Sequence, residues 1–217
     1  DEAGRLVVPG AFIPAAERYG LMPMIDRWVI ENALANFDRL HPSGEGLALA
    51  TINVSGASLE DEWLTELILQ LLQRYCVAPQ RVCFEITETV AVRNLSQVSR
   101  FIERLREAGC RIALDDFGAG MSSFGYLKNL PVDIIKIDGS FIRDLETDPM
   151  SRTIVSAIAQ IGHQRGLKVV AEWVSSPQLC DALRTIRGVQ QLQLVTTTAL
   201  LPPLHEQDTP PAKEAAE

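Results

Sequence analysis

The sequence predicts an α/β fold, a TIM-type parallel β/α barrel that lacks its first strands. Three observations predict it. Five short strand-like runs alternate with amphipathic helical segments, the pattern of a parallel sheet covered by helices. Residues two apart at the end of each run put polar groups on one face, because side chains alternate along a strand. A chain of 217 residues that is 47% hydrophobic can bury one core, and the count fits one domain.

The elements follow in order. A helix is expected over Met24–Leu40 and a first strand over Leu47–Val54. Leu59, Trp63, Leu64, Leu67, Ile68, Leu71, Leu72 and Tyr75 then recur at helical spacing, with Ser58 and Asp61 placed as a capping box. Arg81–Thr87 is the second strand. Val98, Phe101, Ile102, Leu105 and Ala108 make the next helix, stopped by Gly109. Strands Arg111–Phe117 and Asp133–Asp138 come next. Ile154, Val155, Ile158 and Ile161 form another apolar face, between Ser151 and Gly166. Lys168–Trp173 is the fifth strand, and Ser176-Pro177 opens a helix carrying Leu179, Leu183 and Ile186. The domain is expected over residues 1–201. Pro202–Glu217, rich in Pro, Ala and charge, reads as a disordered tail.

Alternation assigns one face of each strand to the barrel interior: Thr51 with Asn53, Cys83 with Glu85, Ala113 with Asp115, Ile134 with Lys136, and Val170 with Glu172. Ile52, Phe84, Ile86, Ile112, Leu114, Ile135 and Val169 take the other face, under the helices. Every strand thus ends in a polar inward group, on the rim where β/α barrels carry their active sites. Any one of these, alone, is more simply a capping or turn residue. Five in succession argue for a site.

Asn53, Glu85, Asp115, Asp116 and Glu172 offer hard oxygen ligands, suited to Mg²⁺, Mn²⁺ or Ca²⁺. Two ions about 3.5–4 Å apart would relieve the repulsion among so many carboxylates and clamp an in-line phosphoryl displacement. Asp115 and Asp116 point to opposite faces of an ideal strand, so they converge only if the strand ends there. Lys136 is a poor Schiff-base lysine, because neighbouring carboxylates stabilise its ammonium. It fits better as a group that holds an attacking water or a phosphate oxygen, or as a structural ion pair to a rim acid. Gly118-Ala119-Gly120-Met121-Ser122-Ser123 allows a tight active-site loop.

Composition excludes other classes. A formal charge of −8 leaves no broad basic surface for a nucleic-acid polymer, so an anionic substrate would need cations to mediate its binding. Cys76, Cys83, Cys110 and Cys180 are widely spaced and read as reduced thiols of a cytoplasmic protein, Cys83 and Cys110 in the core. His41, His163 and His205 are far apart and read as surface residues. No apolar run approaches the roughly 18 residues of a membrane span.

These residues resemble the EAL domain family, the bacterial phosphodiesterase module acting on cyclic di-GMP, over roughly Val8–Pro177. Phe12-Ile13-Pro14-Ala15-Ala16-Glu17 resembles the family's Phe-Ile-Pro-x-Ala-Glu. Asn53-Val54-Ser55, Glu85-Ile86-Thr87-Glu88, and Asp115-Asp116-Phe117-Gly118-Ala119-Gly120 with Ser122-Ser123 match further motifs. So do Leu130-Pro131-Val132-Asp133 leading to Lys136-Ile137-Asp138, and Val170-Ala171-Glu172. The resemblance implies metal ligands at Asn53, Glu85, Asp115, Asp116 and Glu172. It implies water or phosphate contact by Lys136, and Glu172 as general base. Glu88 would steady the loop after Asp116, which links the site to a dimer interface. The implied reaction opens cyclic di-GMP to linear pGpG with Mg²⁺ or Mn²⁺, inhibited by Ca²⁺. A homodimer and an upstream sensory or GGDEF domain are implied partners, in a cytoplasmic setting or the cytoplasmic part of a membrane-anchored protein.

Three departures from the family pattern matter. The Glu-Ala-Leu signature, which carries another metal ligand, is absent because the family places it upstream of Asp1. Trp173-Val174-Ser175 stands where the family has Gly-Val-Glu. Val189–Thr198 hardly resembles the closing Gln-Gly-Tyr-x-Phe-x-x-Pro motif and is not expected to supply the last strand. The chain therefore reads as an excised fragment, expected to be inert by itself and active once the upstream strands are restored. The competing reading is a catalytically inactive cyclic di-GMP receptor or dimerisation module.

Overall fold

The computed structural model describes residues 7–40, 47–61, 63–120, 125–189 and 191–194. Helices α1 (Pro9–Arg18) and α2 (Met22–Ala35) lead into strand β1 (Ala50–Asn53). Helices α3 (Gly56–Leu59) and α4 (Trp63–Arg74) connect it to β2 (Val82–Thr87). Helices α5 (Glu88–Arg93) and α6 (Leu95–Glu107) lead to β3 (Arg111–Phe117), and a loop leads on to β4 (Ile134–Ile137). Helices α7 (Gly139–Arg143) and α8 (Pro149–Gln164) precede β5 (Lys168–Val174), and α9 (Pro177–Arg184) precedes β6 (Gln191–Leu194).

The six strands pair in sequence order, every pair parallel. Sequential parallel strands joined by helical crossovers are the wall of a β/α barrel. Among the described residues the wall is incomplete, with β1 and β6 at its edges. No described helix is long and apolar enough to cross a membrane.

The two faces divide as alternation requires. Ile52, Phe84, Ile86, Ile112, Leu114, Ile135 and Val169 join the main core beneath the helices. Cys83, Ala113, Ile134 and Val170 form a separate buried cluster, with Leu49 packed against it. This second cluster is the floor of the inner face. Thr51 and Asn53 are exposed, as suits an edge strand with a neighbour on one side only. Cys83 and Cys110 are buried free thiols, Cys180 is partly buried, Cys76 is exposed, and His163 is exposed on α8.

Several boundaries differ from expectation. α1, which the apolar pattern did not announce, starts with Pro9 in its first turn, where a missing N–H costs nothing. The helix expected from Leu59 is two helices, because Ser58 does not cap it. Ser55 caps α3 by accepting from Ser58 N, while Asp61 accepts from Trp63 N at the start of α4. Gln191–Leu194 pairs with β5 as a sixth strand. Its Gln-Leu-Gln-Leu alternation has the strand period even though the family motif is lost. Met121–Phe124, His41, His205 and the tail Pro202–Glu217 lie outside the described residues.

Asp148 caps α8, accepting from Met150 N at 3.0 Å and from Ser151 N at 2.9 Å. The Ser151 side chain and these two N–H groups hold its carboxyl below the usual 3.8. A depressed value in the fold gives stability that is present above 3.8 and lost as pH falls through the lowered value. Asp148→Ala should therefore melt below wild type at neutral pH, with the gap closing in strong acid. Thermal melts across that range read it, and a gap that persists at about pH 2 would show that the charge is irrelevant.

Candidate functional site

Four strands deliver the centre of the site. Glu85 on β2, Asp115 on β3 and Glu172 on β5 all converge on Lys136 of β4. The Lys136 Nζ lies 2.9 Å from a Glu85 oxygen, 2.9 Å from Asp115 and 2.8 Å from Glu172. An ammonium has three N–H donors, and here each faces a carboxylate. Lys136, Glu85 and Glu172 are 5%, 5% and 6% exposed, so water can do little of the screening. The floor of Cys83, Ala113, Ile134 and Val170 supplies the apolar layer directly beneath.

One cation against three carboxylates leaves the cluster two negative charges in excess, and the titration directions follow. Burial pushes the Glu85 carboxyl up, and Lys136 only partly opposes this. Glu172 moves up by burial first, with Asp115 and Glu85 adding repulsion against the pull of Lys136. Burial also works against the Lys136 charge. The hydrogen bond that Lys136 donates to Glu172 and the attraction of Glu85 and Asp115 outweigh it, so the ammonium is held above its usual range. Thr51 adds a hydrogen bond to Glu85, which favours the ionised form.

Asp116 reaches the site by a route the strand pattern did not anticipate. β3 does not end at the acidic pair. It continues to Phe117, and the register with β4 shifts between Leu114 and Phe117. Asp116 sits in that bulge with φ +52, a left-handed conformation. The bulge, not the end of the strand, turns two consecutive carboxylates the same way. One ligand atom each from Asp115, Asp116 and Glu172 fall within 4.8 Å of one another. Burial raises the Asp116 carboxyl, with repulsion from Asp115 and Asp138 adding to it.

The surrounding loops are tied down by further carboxylates. Glu88 is 2% exposed and accepts from Gly118 N at 2.9 Å and from Tyr126 Oη at 2.7 Å. It thereby fastens the turn after Asp116 to the segment that follows the loop. Gly118 has φ +99, a conformation that favours glycine, and a Cβ there would come 3.1 Å from the Ile158 and Phe141 side chains, which would have to give slightly. Asp26 of α2, only 6% exposed, accepts from Ser55 N at 2.9 Å and from Ser58 Oγ at 2.6 Å. This fixes the turn just after Asn53, which pairs in register with Glu85.

The residues singled out in the sequence lie at or just beyond the C-terminal ends of the strands, with Glu88 opening α5 and Asn53 exposed at the end of the edge strand β1. Glu85, Asp115, Lys136 and Glu172 are in contact, Asp116 joins the last two acids, and Glu88 stands behind the loop. Sequence reasoning gave no role to Asp26, Thr51, Tyr126 and Asp138. Asp138 caps α7 through Ser140 N and is near enough to Asp116 to help raise its carboxyl. Its signal was present, as the residue two beyond Lys136 on the same face. Asp26 gave none, because its partners are 29 and 32 residues away.

A cleft of about 650 Å³ lies between α4 and α6. Its Arg104 and Glu66 are exposed and 4.0 Å apart, and it gathers no buried titratable group. The strand-end cluster is different in kind. Its donors are oxygens only, clustered and in charge excess, and this set fits Mg²⁺ or Mn²⁺.

The fold and site together define a parallel β/α half-barrel with a carboxylate and lysine cluster at its strand ends. The chain belongs to the EAL domain family, whose model matches residues 1–193. It is 40% identical over 193 residues to the cyclic di-GMP phosphodiesterase PdeB of Shewanella oneidensis, covering 89% of this chain and 22% of that protein. It is 34% identical to the cyclic di-GMP phosphodiesterase PdeF of Escherichia coli strain K12, covering 88% of this chain and 25% of that protein. The chain thus spans about a quarter or less of these curated relatives. Among solved structures, the PaMucR phosphodiesterase in complex with c-di-GMP superposes with a TM-score of 0.81 at 33% identity, covering 89% of this chain and 78% of that one. The FimX EAL domain of Pseudomonas aeruginosa bound to c-di-GMP gives 0.79 at 28% identity, covering 88% and 76%.

Proposed function

We propose that this chain is the catalytic module of a metal-dependent phosphodiesterase that opens cyclic di-GMP to linear pGpG. The observation that carries the reading is the convergence of Asp115, Asp116 and Glu172 within 4.8 Å beside the Lys136 ammonium. Membership of the EAL family, with relatives called cyclic di-GMP phosphodiesterases, supports the substrate.

Asn53, Glu85, Asp115, Asp116 and Glu172 would hold Mg²⁺ or Mn²⁺, two ions on the reading above. Divalent ions there would polarise the phosphate oxygens and make a water more acidic. Glu172 accepts the proton of the attacking water, a role suited to a carboxylate pushed up by burial. Lys136 directs its N–H groups at the water or a phosphate oxygen when one enters. Water oxygen bonds to phosphorus, the P–O3′ bond breaks, and the proton ends on the ribose oxygen. Glu88 keeps the loop after Asp116 in place through Gly118 and Tyr126.

The test is hydrolysis of cyclic di-GMP followed by chromatography, for this chain and for the chain extended upstream. Turnover is expected from the extended chain with Mg²⁺ or Mn²⁺ and not from this chain by itself, lost in EDTA, and suppressed by excess Ca²⁺, whose longer bonds misplace the water. Equal turnover in EDTA would overturn the metal reading. Tight binding with no turnover in any metal would favour the non-catalytic receptor instead.

A further inference from the structure

Trp173 follows Glu172 directly, and three facts about it are unusual together. It sits in a bulge, where the pairing with β6 shifts between Ala171 and Val174. Its φ is +54, a left-handed conformation that a residue bearing a Cβ holds only under constraint. Yet the side chain is 57% exposed, so burial of the large ring does not offset the strain. The family motif carries glycine here, which adopts this backbone freely.

The structure makes room for the ring instead. A Cβ added at Gly139 would lie 2.3 Å from Trp173 Cδ1 and 2.5 Å from Cγ. Gly139 is not in the left-handed region, so it is required there for space alone. The ring edge therefore rests on the backbone next to Asp138, the residue two beyond Lys136 at the end of β4. The Arg143 guanidinium stands 6.0 Å from the ring centroid and brings a positive charge to this acidic rim. An indole held under strain, largely exposed, and next in chain to Glu172 is placed to meet a ligand rather than to pack.

We propose that Trp173 is a stacking platform for a guanine base of the substrate, with Arg143 beside it. This rests on the cyclic di-GMP reading above. Every base has a π-face that an aromatic side chain can stack upon, and loss of one such stack weakens binding about tenfold.

The experiment uses the whole chain with Trp28 and Trp63 replaced by Phe, so that Trp173 is the sole indole. Cyclic di-GMP is added in Ca²⁺ to hold back hydrolysis. Its binding should quench the Trp173 emission. Calorimetry should then give a Kd about tenfold weaker for Trp173→Gly than for wild type, with Trp173→Phe recovering most of the loss. Trp173→Gly should melt at or above wild type, because glycine relieves the left-handed backbone, so weakened binding cannot be put down to misfolding. Equal affinity in wild type and Trp173→Gly would overturn the platform and leave the substrate reading intact. So would a Phe variant as weak as the Gly variant. A wild-type chain that binds no cyclic di-GMP would overturn the substrate reading, and the platform with it.

Discussion

Replacing Lys136 with Met should lower stability by about 3 kcal/mol in the presence of EDTA, a melting shift on the order of 10 °C for a chain of this size. Removing one partner of a buried ion pair leaves the other charge without compensation, and here three carboxylates lose their common cation. Millimolar Mg²⁺ should recover much of the loss, because the ion supplies the missing positive charge to the same oxygens. The loss should also depend on pH in a defined direction. The Lys136 value is raised, so its contribution is complete below 10.5 and constant across neutral pH. The Glu85 and Glu172 values are raised as well, so the fold favours their neutral forms. That preference acts fully below 4.5 and fades as pH rises through the elevated values. Lys136→Met should be mildest in acid and most damaging above neutrality. Melts in EDTA at acid and alkaline pH decide the matter. An unchanged melting temperature at alkaline pH would mean that the lysine is not the counter-ion of the site.

Glu172→Gln should produce the opposite signature. Turnover of cyclic di-GMP should fall by about 10³-fold or more, since the change removes both an oxygen anion for metal and a proton acceptor. The metal-free fold should lose little. Gln keeps a carbonyl oxygen for Lys136, and one of the negative charges in excess is gone. Calorimetric titration with Mn²⁺ should show weakened metal binding alongside an almost unaltered melting temperature in EDTA. Retention of wild-type turnover would remove Glu172 from the chemistry, whatever its contacts. The two variants together separate a residue that balances charge from one that acts on substrate.

Much of the wall was legible in the sequence because its rules are local. The inner set of Cys83, Ala113, Ile134 and Val170 and the outer set of Phe84, Ile112, Ile135 and Val169 follow from a two-residue period. The same period placed Glu85, Asp115, Lys136 and Glu172 on one face, and their contacts agree with it. Ser176, Gly109 and Gly166 marked helix ends because capping and left-handed glycines are decided within one turn. The sixth strand at Gln191–Leu194 was not read from the sequence, because the unfamiliar motif around it masked its alternation.

What the sequence determined alone was which side chains face inward and that an acidic rim crowns them, since these depend on intervals of two to four residues. What only the tertiary structure decided was how that rim converges. Asp116 lies close to Asp115 with φ +52 in a bulge against β4, and Trp173 has φ +54 in a second bulge against β6. A bulge is a mismatch between two strands, and each strand's own pattern is silent about its neighbour's register. Asp26, 29 residues before Ser55, and Glu88, 30 residues before Gly118, brace the loops for the same reason. Their partners exist only once the chain has folded, because hydrogen bonds across such separations are set by topology and not by any local period.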